Sequence, residues 1–506
     1  MRIILLSALL LSASMGMAQK GDPSTYAGTI TAADLKKHLT IIAGPEMEGR
    51  NAASEGERKA AAYLESQYKR LGLKPGNGNS YLQNFPLFQD ELTEKKLSVN
   101  GRVFEWDKDY SIAMQMIGSG EFAYNDVVFA GYGIIDSTTN DYAKLNVTGK
   151  MVLILEGSPN SSTPANPRAV TPYSTLGKVN TAVSKGAAGV LIVSKSGFPR
   201  RTPTNTKGGM SLTKSTTPRV NVASVSEEVA SALLGRTTKI GVEEMKNLNK
   251  GTYKSEFKLT AIKKTNELQS ANVIAVLPGT DKADEYVFIT SHYDHEGIIN
   301  GEIYYGADDD GSGTVSVVEI AEAFVNAKKK GAGPRRSIVF MNVSGEEKGL
   351  LGSRYYSENP IFPLAKTSVD LNIDMVGRID PTYKGDSMNY VYVIGDDKLS
   401  SDLTPITNEV NQKYFKMELD RRFNDPNDTN RFYYRSDHYN FAAKGVPIIF
   451  YFNGTHRDYH RPTDTVDKIN FDLMEKRVRL IYHTAWVIAQ KDTMLKRDIP
   501  LNMPPR

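Results

Sequence analysis

The chain has 506 residues, about three times a typical domain, so two or three domains are expected. Forty per cent apolar and 24% charged residues exclude wholesale disorder and a simple coiled coil, and a formal charge of +4 gives no reason to expect nucleic acid or an anionic membrane as partner. Cys is absent, which excludes disulfides, Cys-ligated zinc, iron–sulfur clusters and a thiol nucleophile, and leaves any transition metal to His, Asp and Glu.

Met1-Arg2, the apolar run 3–11 and the small residues ending at Ala18 read as a secretory signal over 1–18. That run is too short to span a bilayer. The expectation is an exported protein, periplasmic or extracellular, with no membrane contact after cleavage. Residues 31–74 look helical, with Thr31 as N-cap and Gly72 as the stop. Residues 121–135 and 150–156 read as strands, and 178–188 as a helix feeding a buried strand at 189–193. Residues 196–222, rich in Ser, Thr, Pro, Gly and Lys, read as a long loop, and 258–270 as a charged connector. Beyond it, apolar runs at 272–277, 286–291, 337–343, 368–373, 390–394 and 446–452 alternate with helical stretches at 314–329, 403–415 and 473–490. This pattern predicts an α/β fold, a mixed, mostly parallel β-sheet flanked by helices. The segment 118–258 has its own strand–helix–strand pattern and reads as an insertion.

In open α/β sheets, ligands bind beyond the carboxyl ends of strands. There the sequence places His292-Tyr-Asp294-His295-Glu296, Ser344-Gly-Glu346-Glu347, Asp374-Met-Val-Gly-Arg378 and Thr455-His456-Arg-Asp458-Tyr459-His460, with Gly306-Ala-Asp308-Asp309-Asp310-Gly-Ser-Gly313 after a Gly-rich turn. His438, in Arg435-Ser-Asp437-His438, adds a sixth cluster. Four of the seven His fall in the first and last of the five. Each cluster alone also fits a surface pair or a solvated loop. Residues 308–319 nearly fit a calcium-binding loop ending at Glu319, but no amphipathic helix precedes them. Two His and more than three carboxylates suit two divalent ions, about 3.5–4 Å apart, sharing one carboxylate. A free neighbouring carboxylate then takes the proton from water. Of Glu346 and Glu347, one fits ligand and the other base, and spacing does not say which.

Taken in this order, the clusters resemble the dizinc aminopeptidase family of the aminopeptidase Y and bacterial leucyl aminopeptidase type. The resemblance covers roughly 31–115 and 259–490. Gly131-Tyr-Gly-Ile134, Thr148-Gly-Lys150 and Lys185-Gly-Ala-Ala-Gly-Val190 give the insertion a likeness to a protease-associated (PA) domain, β-rich α/β. The implied layout is an N-terminal part of the peptidase domain at 19–117, the PA insert at 118–258, the zinc-exopeptidase-like catalytic domain at 259–493 and a tail at 494–506. The resemblance further implies two Zn2+ per chain and peptide substrates. Asp309 would bridge the ions, His292 and Asp374 would complete one site, and Glu347 and His460 the other. Glu346 would be the general base and then the acid. Asp294 would hold the His292 ring, and Tyr459 would donate to the oxyanion. An intact set argues against an inactive homologue of the transferrin receptor type.

Asp437, His438 and His456 are candidates for lining the cleft, and His295 for its rim, whereas His38 and His483 sit on helical patterns as structural residues. Arg378 and Arg435 either meet a substrate carboxylate or balance nearby Asp, and the second reading is favoured. The competing functions are a glutamate-carboxypeptidase-type carboxypeptidase, disfavoured because no Arg cluster accompanies the motifs; a glutaminyl cyclase, which works with one zinc; and a calcium-dependent binding module at 308–319.

Overall fold

The computed structural model describes residues 22–159, 170–194, 198, 204–214 and 220–503. The expected signal at 1–18, part of the 196–222 loop and residues 504–506 of the tail lie outside the described residues. The chain forms two compact units, one of residues 86–268 and one of the segments on either side of them.

In the second of these, α1 (Ala32–Ile42) starts where the Thr31 side chain accepts from the Asp34 N–H. Helix α2 (Glu55–Leu71) ends at Gly72, left-handed at φ 75°. The expected helical region is broken between them by a turn at Pro45–Arg50, since a Pro ring lacks the N–H a continuing helix needs. The sheet contains β1 (Gly251–Leu277), β2 (Lys282–His292), β3 (Arg336–Val343), β4 (Thr367–Ile373), β5 (Tyr390–Ile394), β6 (Glu418–Asp420) and β7 (Ile448–Phe452), in the spatial order β6-β5-β7-β4-β2-β3-β1. Strands β3, β2, β4 and β7 are parallel neighbours; β1 against β3 and β5 against β7 are antiparallel.

Helices cover both faces. Val287 and Ile289 of β2 point to a core shared with α1, α2, α3 (Gly313–Lys329) and α6 (Phe471–Gln490). Phe288, between them, points to the other face, against Tyr356 of α4 (Leu351–Glu358) and Phe441 of α5 (His438–Ala442). A strand with both faces dry reads as an unbroken apolar run, which is why these strands are visible in the sequence. The segment 258–270 is not a connector. It lies within β1, with Phe257, Leu259 and Ala261 buried and Lys258 exposed, the period-2 alternation of a strand with one wet face.

The unit 86–268 holds further strands. Strands Gly120–Phe129, Met151–Leu155, Gly189–Val193 and Asn221–Val225 are parallel neighbours in that order, and Tyr110–Ile112 is antiparallel at one edge. Helix Thr175–Ser184 packs Val179 and Ala182 on Val152, Ile154 and Val190. This compact unit also takes in residues ahead of 118, with Leu92, Leu97, Val99 and Phe104 in its core.

Candidate metal centre

Because β2, β3, β4 and β7 run the same way, their carboxyl ends meet at one sheet edge. His292 is the last residue of β2. Glu346 and Glu347 follow β3, Asp374 follows β4 directly, and the loop after β7 carries His456 to His460. Asp309 comes from an irregular turn, Ala307–Ser312, that leads into α3. Two glycines make this turn possible. A Cβ at Gly306 (φ 54°) would lie 2.2 Å from the Asp309 carbonyl oxygen and 2.5 Å from His295 Cγ, and one at Gly313 would lie 2.3 Å from the Ile373 carbonyl oxygen.

The residues converge. Asp309 Oδ1 lies 3.3 Å from His292 Nε2, which is 3.7 Å from Asp374 Oδ2. Asp309 Oδ2 lies 3.0 Å from His460 Nε2, which is 3.2 Å from Glu347 Oε2. Two ligands of one tetrahedral zinc, each about 2.0–2.1 Å from it, stand roughly 3.3 Å apart, and these separations have that scale. His292 Nε2 and Asp309 Oδ2 are buried and make no hydrogen bond of acceptable geometry. Buried polar atoms of an imidazole and a carboxylate without hydrogen bonds, set among further His and acidic side chains, fit a divalent cation. The electrostatics agree. Burial works to lower the His292 pKa, yet Asp374 and Asp309 hold it well above its ordinary value. Burial works to raise Asp309, yet the imidazoles of His292, His460 and His295 hold it well below the usual carboxylate range. The field favours positive charge among these carboxylates.

Glu346 lines the same cavity with Asp309, Asp374 and Tyr459. Burial pushes its carboxyl well above the usual range; His292 opposes this, and Glu347, Asp437 and Asp374 add to it. The Asp294 carboxylate accepts from the Glu346 N–H (3.1 Å), while the Asp294 backbone oxygen, at 3.1 Å, is nearer to His292 Nδ1 than its carboxylate, at 3.7 Å. Tyr459 stacks on the His460 ring (centroids 4.0 Å apart) and accepts a hydrogen bond from Arg435 at 3.0 Å. Arg378 balances Asp458 at 2.8 Å and Asp464 at 3.7 Å, as read from the sequence, whereas Arg435 packs between the rings of Phe432 and Tyr459.

His295 is not a rim residue. It is fully buried, with Nδ1 2.7 Å from Glu347 Oε1. His438 donates Nε2–H to the Tyr433 carbonyl and stacks on Phe450, and burial keeps it neutral, with a pKa near 3. His456 meets Asp308 at 3.2 Å, and His38 meets Glu319 at 3.3 Å. That last contact removes the calcium-loop reading, because Glu319 faces His38 from helix α3 and not the 308–312 turn.

Three holding residues were missed. Asp310 accepts from the N–H groups of His292, Gly313 and Met375. Asp464 accepts from those of Asp308 and Asp309. Arg50, fully buried, donates to the carbonyls of Tyr293, Ile42, Tyr305 and Gly306. Asp310 stands inside a motif; the other two partners lie far away in sequence, with no local signal to link them.

Residues 272–485 match Peptidase family M28, and 119–233 match the PA domain. Over those residues the likeness is to an M28 peptidase and to a PA domain. Leucine aminopeptidase 1 of Penicillium rubens is 29% identical over 225 residues, 43% of this chain and 56% of that protein, so the chain spans little more than half the length of the curated relatives it matches. Among solved structures, an aminopeptidase from Aneurinibacillus sp. strain AM-1 covers 96% of this chain and 100% of its own, at TM-score 0.58 and 20% identity. A zinc aminopeptidase from Bacillus subtilis covers 94% and 99%, at TM-score 0.54 and 19% identity. At these identities the two structures speak to the fold alone. No helix among the described residues is long and apolar enough to cross a membrane.

Proposed function

We propose that this chain is an exported, zinc-dependent aminopeptidase that removes N-terminal residues from peptides and holds two ions. One observation carries the two-ion reading: the two oxygens of Asp309 face different imidazoles, Oδ1 toward His292 and Oδ2 toward His460. His292, Asp309 and Asp374 would hold one ion, and Asp309, Glu347 and His460 the other. The names of the relatives, leucine aminopeptidase and zinc aminopeptidase, support peptide substrates and zinc. Export rests on the N-terminal sequence alone.

Bound zinc supplies Lewis-acid polarisation of the scissile carbonyl and makes a water more acidic. Glu346 stands in the cavity with a raised proton affinity. It takes the proton from the attacking water, keeps it through the addition step, and delivers it to the leaving amine. The Tyr459 phenol, pushed far up by burial, stays protonated at any working pH and donates to the oxyanion. The Asp294 backbone carbonyl fixes which His292 nitrogen carries the proton, leaving Nε2 to face Asp309 and Asp374.

The test is a digest of peptides with free and blocked ends, with and without a chelator, read by mass spectrometry. Stepwise loss from free N-termini, stopped by the chelator, is expected. Loss from C-termini would put the chain in the carboxypeptidase class, and cyclised N-terminal Gln in the cyclase class. Glu346→Gln should lower kcat by about 10²–10⁴-fold with metal content unchanged. Full activity in that variant would refute the assignment of the base.

A further inference from the structure

We propose that His295 is a positioning residue for Glu347. Its ring N–H holds one carboxylate oxygen, Oε1, so that Glu347 offers only Oε2 to the cation it shares with Asp309 and His460. This rests on the reading above that Glu347 and His460 are ligands.

The two oxygens of Glu347 are engaged differently. Oε1 is 2.7 Å from His295 Nδ1, and Oε2 is 3.2 Å from His460 Nε2. Two nitrogen or oxygen ligands on one zinc stand roughly 3.3 Å apart, so the second separation suits a ligand pair. The first is too short for that and has the length of a charge-assisted N–H···O bond. His295 Nδ1 is also 3.9 Å from Asp309 Oδ2, further than either His292 or His460 is from that carboxylate. The donor set therefore contains His460 as ligand and His295 as a hydrogen-bond donor behind it.

The site is built to hold this ring. His295 has no exposed surface. Its backbone N–H donates to the Arg50 carbonyl at 3.1 Å, which fixes the start of the side chain. The ring plane lies against Gly306, where any side chain would strike Cγ and Cδ2 at 2.5 and 2.6 Å. Burial and the close approach of Gly306 confine the ring with its Nδ1 toward Glu347. The consequence is chemical. A carboxylate that chelates through both oxygens fills one coordination position more than a carboxylate that gives one, and a catalytic ion needs an open position for water or a carbonyl. His295 keeps that position open.

The probe is cobalt, bound to the full chain and read by visible absorption and by titration. His295→Leu removes the donor, and His295→Asn places an amide N–H near the position of Nδ1. The Leu variant is expected to show the weaker absorption of a more highly coordinated ion and to bind the second cobalt about tenfold less tightly, the lower end of the loss seen when such a supporting hydrogen bond is deleted. The Asn variant is expected to keep the parent spectrum. A Leu variant with parent spectrum and affinity would overturn the proposal. So would loss of one whole equivalent in both variants, which would make His295 a ligand. Where the Leu protein does not fold, by far-ultraviolet circular dichroism, the Asn variant decides alone: a changed spectrum refutes. A parent chain that binds no cobalt would instead overturn the ligand reading itself.

Discussion

Removing the Arg50 guanidinium should destabilise the compact unit that contains it by about 4 kcal/mol. The charge makes four hydrogen bonds of 2.7–2.9 Å to backbone carbonyls and has no exposed surface. Bonds from an ionised donor contribute about 1.5–3 kcal/mol each, which gives a ceiling of roughly 6–12 kcal/mol if they added. They do not add, since one planar group makes all four. Burial also works against the charge: it lowers the Arg50 pKa to about 10, opposed by Asp294, Asp309, Asp310 and Asp464. That shift of about 2.5 units corresponds to roughly 3 kcal/mol. The group stays ionised at neutral pH, and the difference leaves roughly 3–9 kcal/mol if the bonds added, so that without additivity the loss falls near the lower end. In Arg50→Met the four carbonyls lose their donor in a dry site. Arg50→Lys keeps a charge but has no fork to reach four acceptors, and should recover about half. The assay is urea unfolding of chelator-treated protein, read by tryptophan fluorescence. The chain has two Trp, and Trp486 lies in the core of the same unit as Arg50, against Phe324. A Trp106→Phe background makes Trp486 the sole reporter. An Arg50→Met protein within about 1 kcal/mol of this parent, an ordinary surface-substitution effect, would refute the reasoning.

Burial raises the Asp370 carboxyl to about 8, the Thr290 hydroxyl opposing this and Asp437 adding to it. An unfolded Asp titrates near 3.9, so from about pH 4 to pH 8 the native state holds a proton that the unfolded chain has released, and stability falls as pH rises through that window. Asp370→Asn, which retains an acceptor for Thr290, should flatten this dependence, so that urea midpoints of parent and variant diverge in favour of the variant between pH 5 and pH 8.5; parallel profiles would show that Asp370 is ionised in the native protein. Tyr459→Phe keeps the ring stacked on His460 and deletes the hydroxyl, and should lower kcat by about 10²–10³-fold with KM and metal content unchanged; a kcat equal to the parent's would remove Tyr459 from the reaction.

The parts of this protein that were legible in sequence share a physical cause. Strands β2, β3, β4 and β7 are buried on both faces and appear as apolar runs, and polar residues that interrupt such a run at its carboxyl end stand out against it. His292, Asp374 and Glu346-Glu347 are visible for that reason. The second half of the unit 86–268 was harder. Where a strand has one wet face, as over 258–270, Lys and Glu alternate with Leu and Ala, and the charge masks the period of two. Tertiary partners were not legible at all. His295 and Glu347 are 52 residues apart, Asp309 and Asp464 are 155, and Arg50 and Tyr293 are 243. His295 passed for a rim residue because His-x-x-His spacing says nothing about a glycine at 306 that leaves room for its ring.

Those distant partners change how the domain should be divided. The match to family M28 begins at residue 272, yet two buried side chains well ahead of it, Arg50 and Glu57, reach the loops that carry the proposed ligands. Arg50 ties the carbonyls of residues 293, 305 and 306 to the end of α1. Glu57 of α2 accepts from the hydroxyls of Ser270, Ser344 and Tyr293 and from the Ala53 N–H. Ser344 precedes Glu346 by two residues and Tyr293 follows His292, so this one carboxylate braces the ends of both β2 and β3. Burial pushes the Glu57 carboxyl up, and its four donors work against that. A buried acid on one N-terminal element and a buried base on another thus hold opposite sides of the same constellation. Residues ahead of 86 thus belong to the framework of the proposed metal centre, because Arg50 and Glu57 hold the segments that bring His292, Glu346 and Glu347 together.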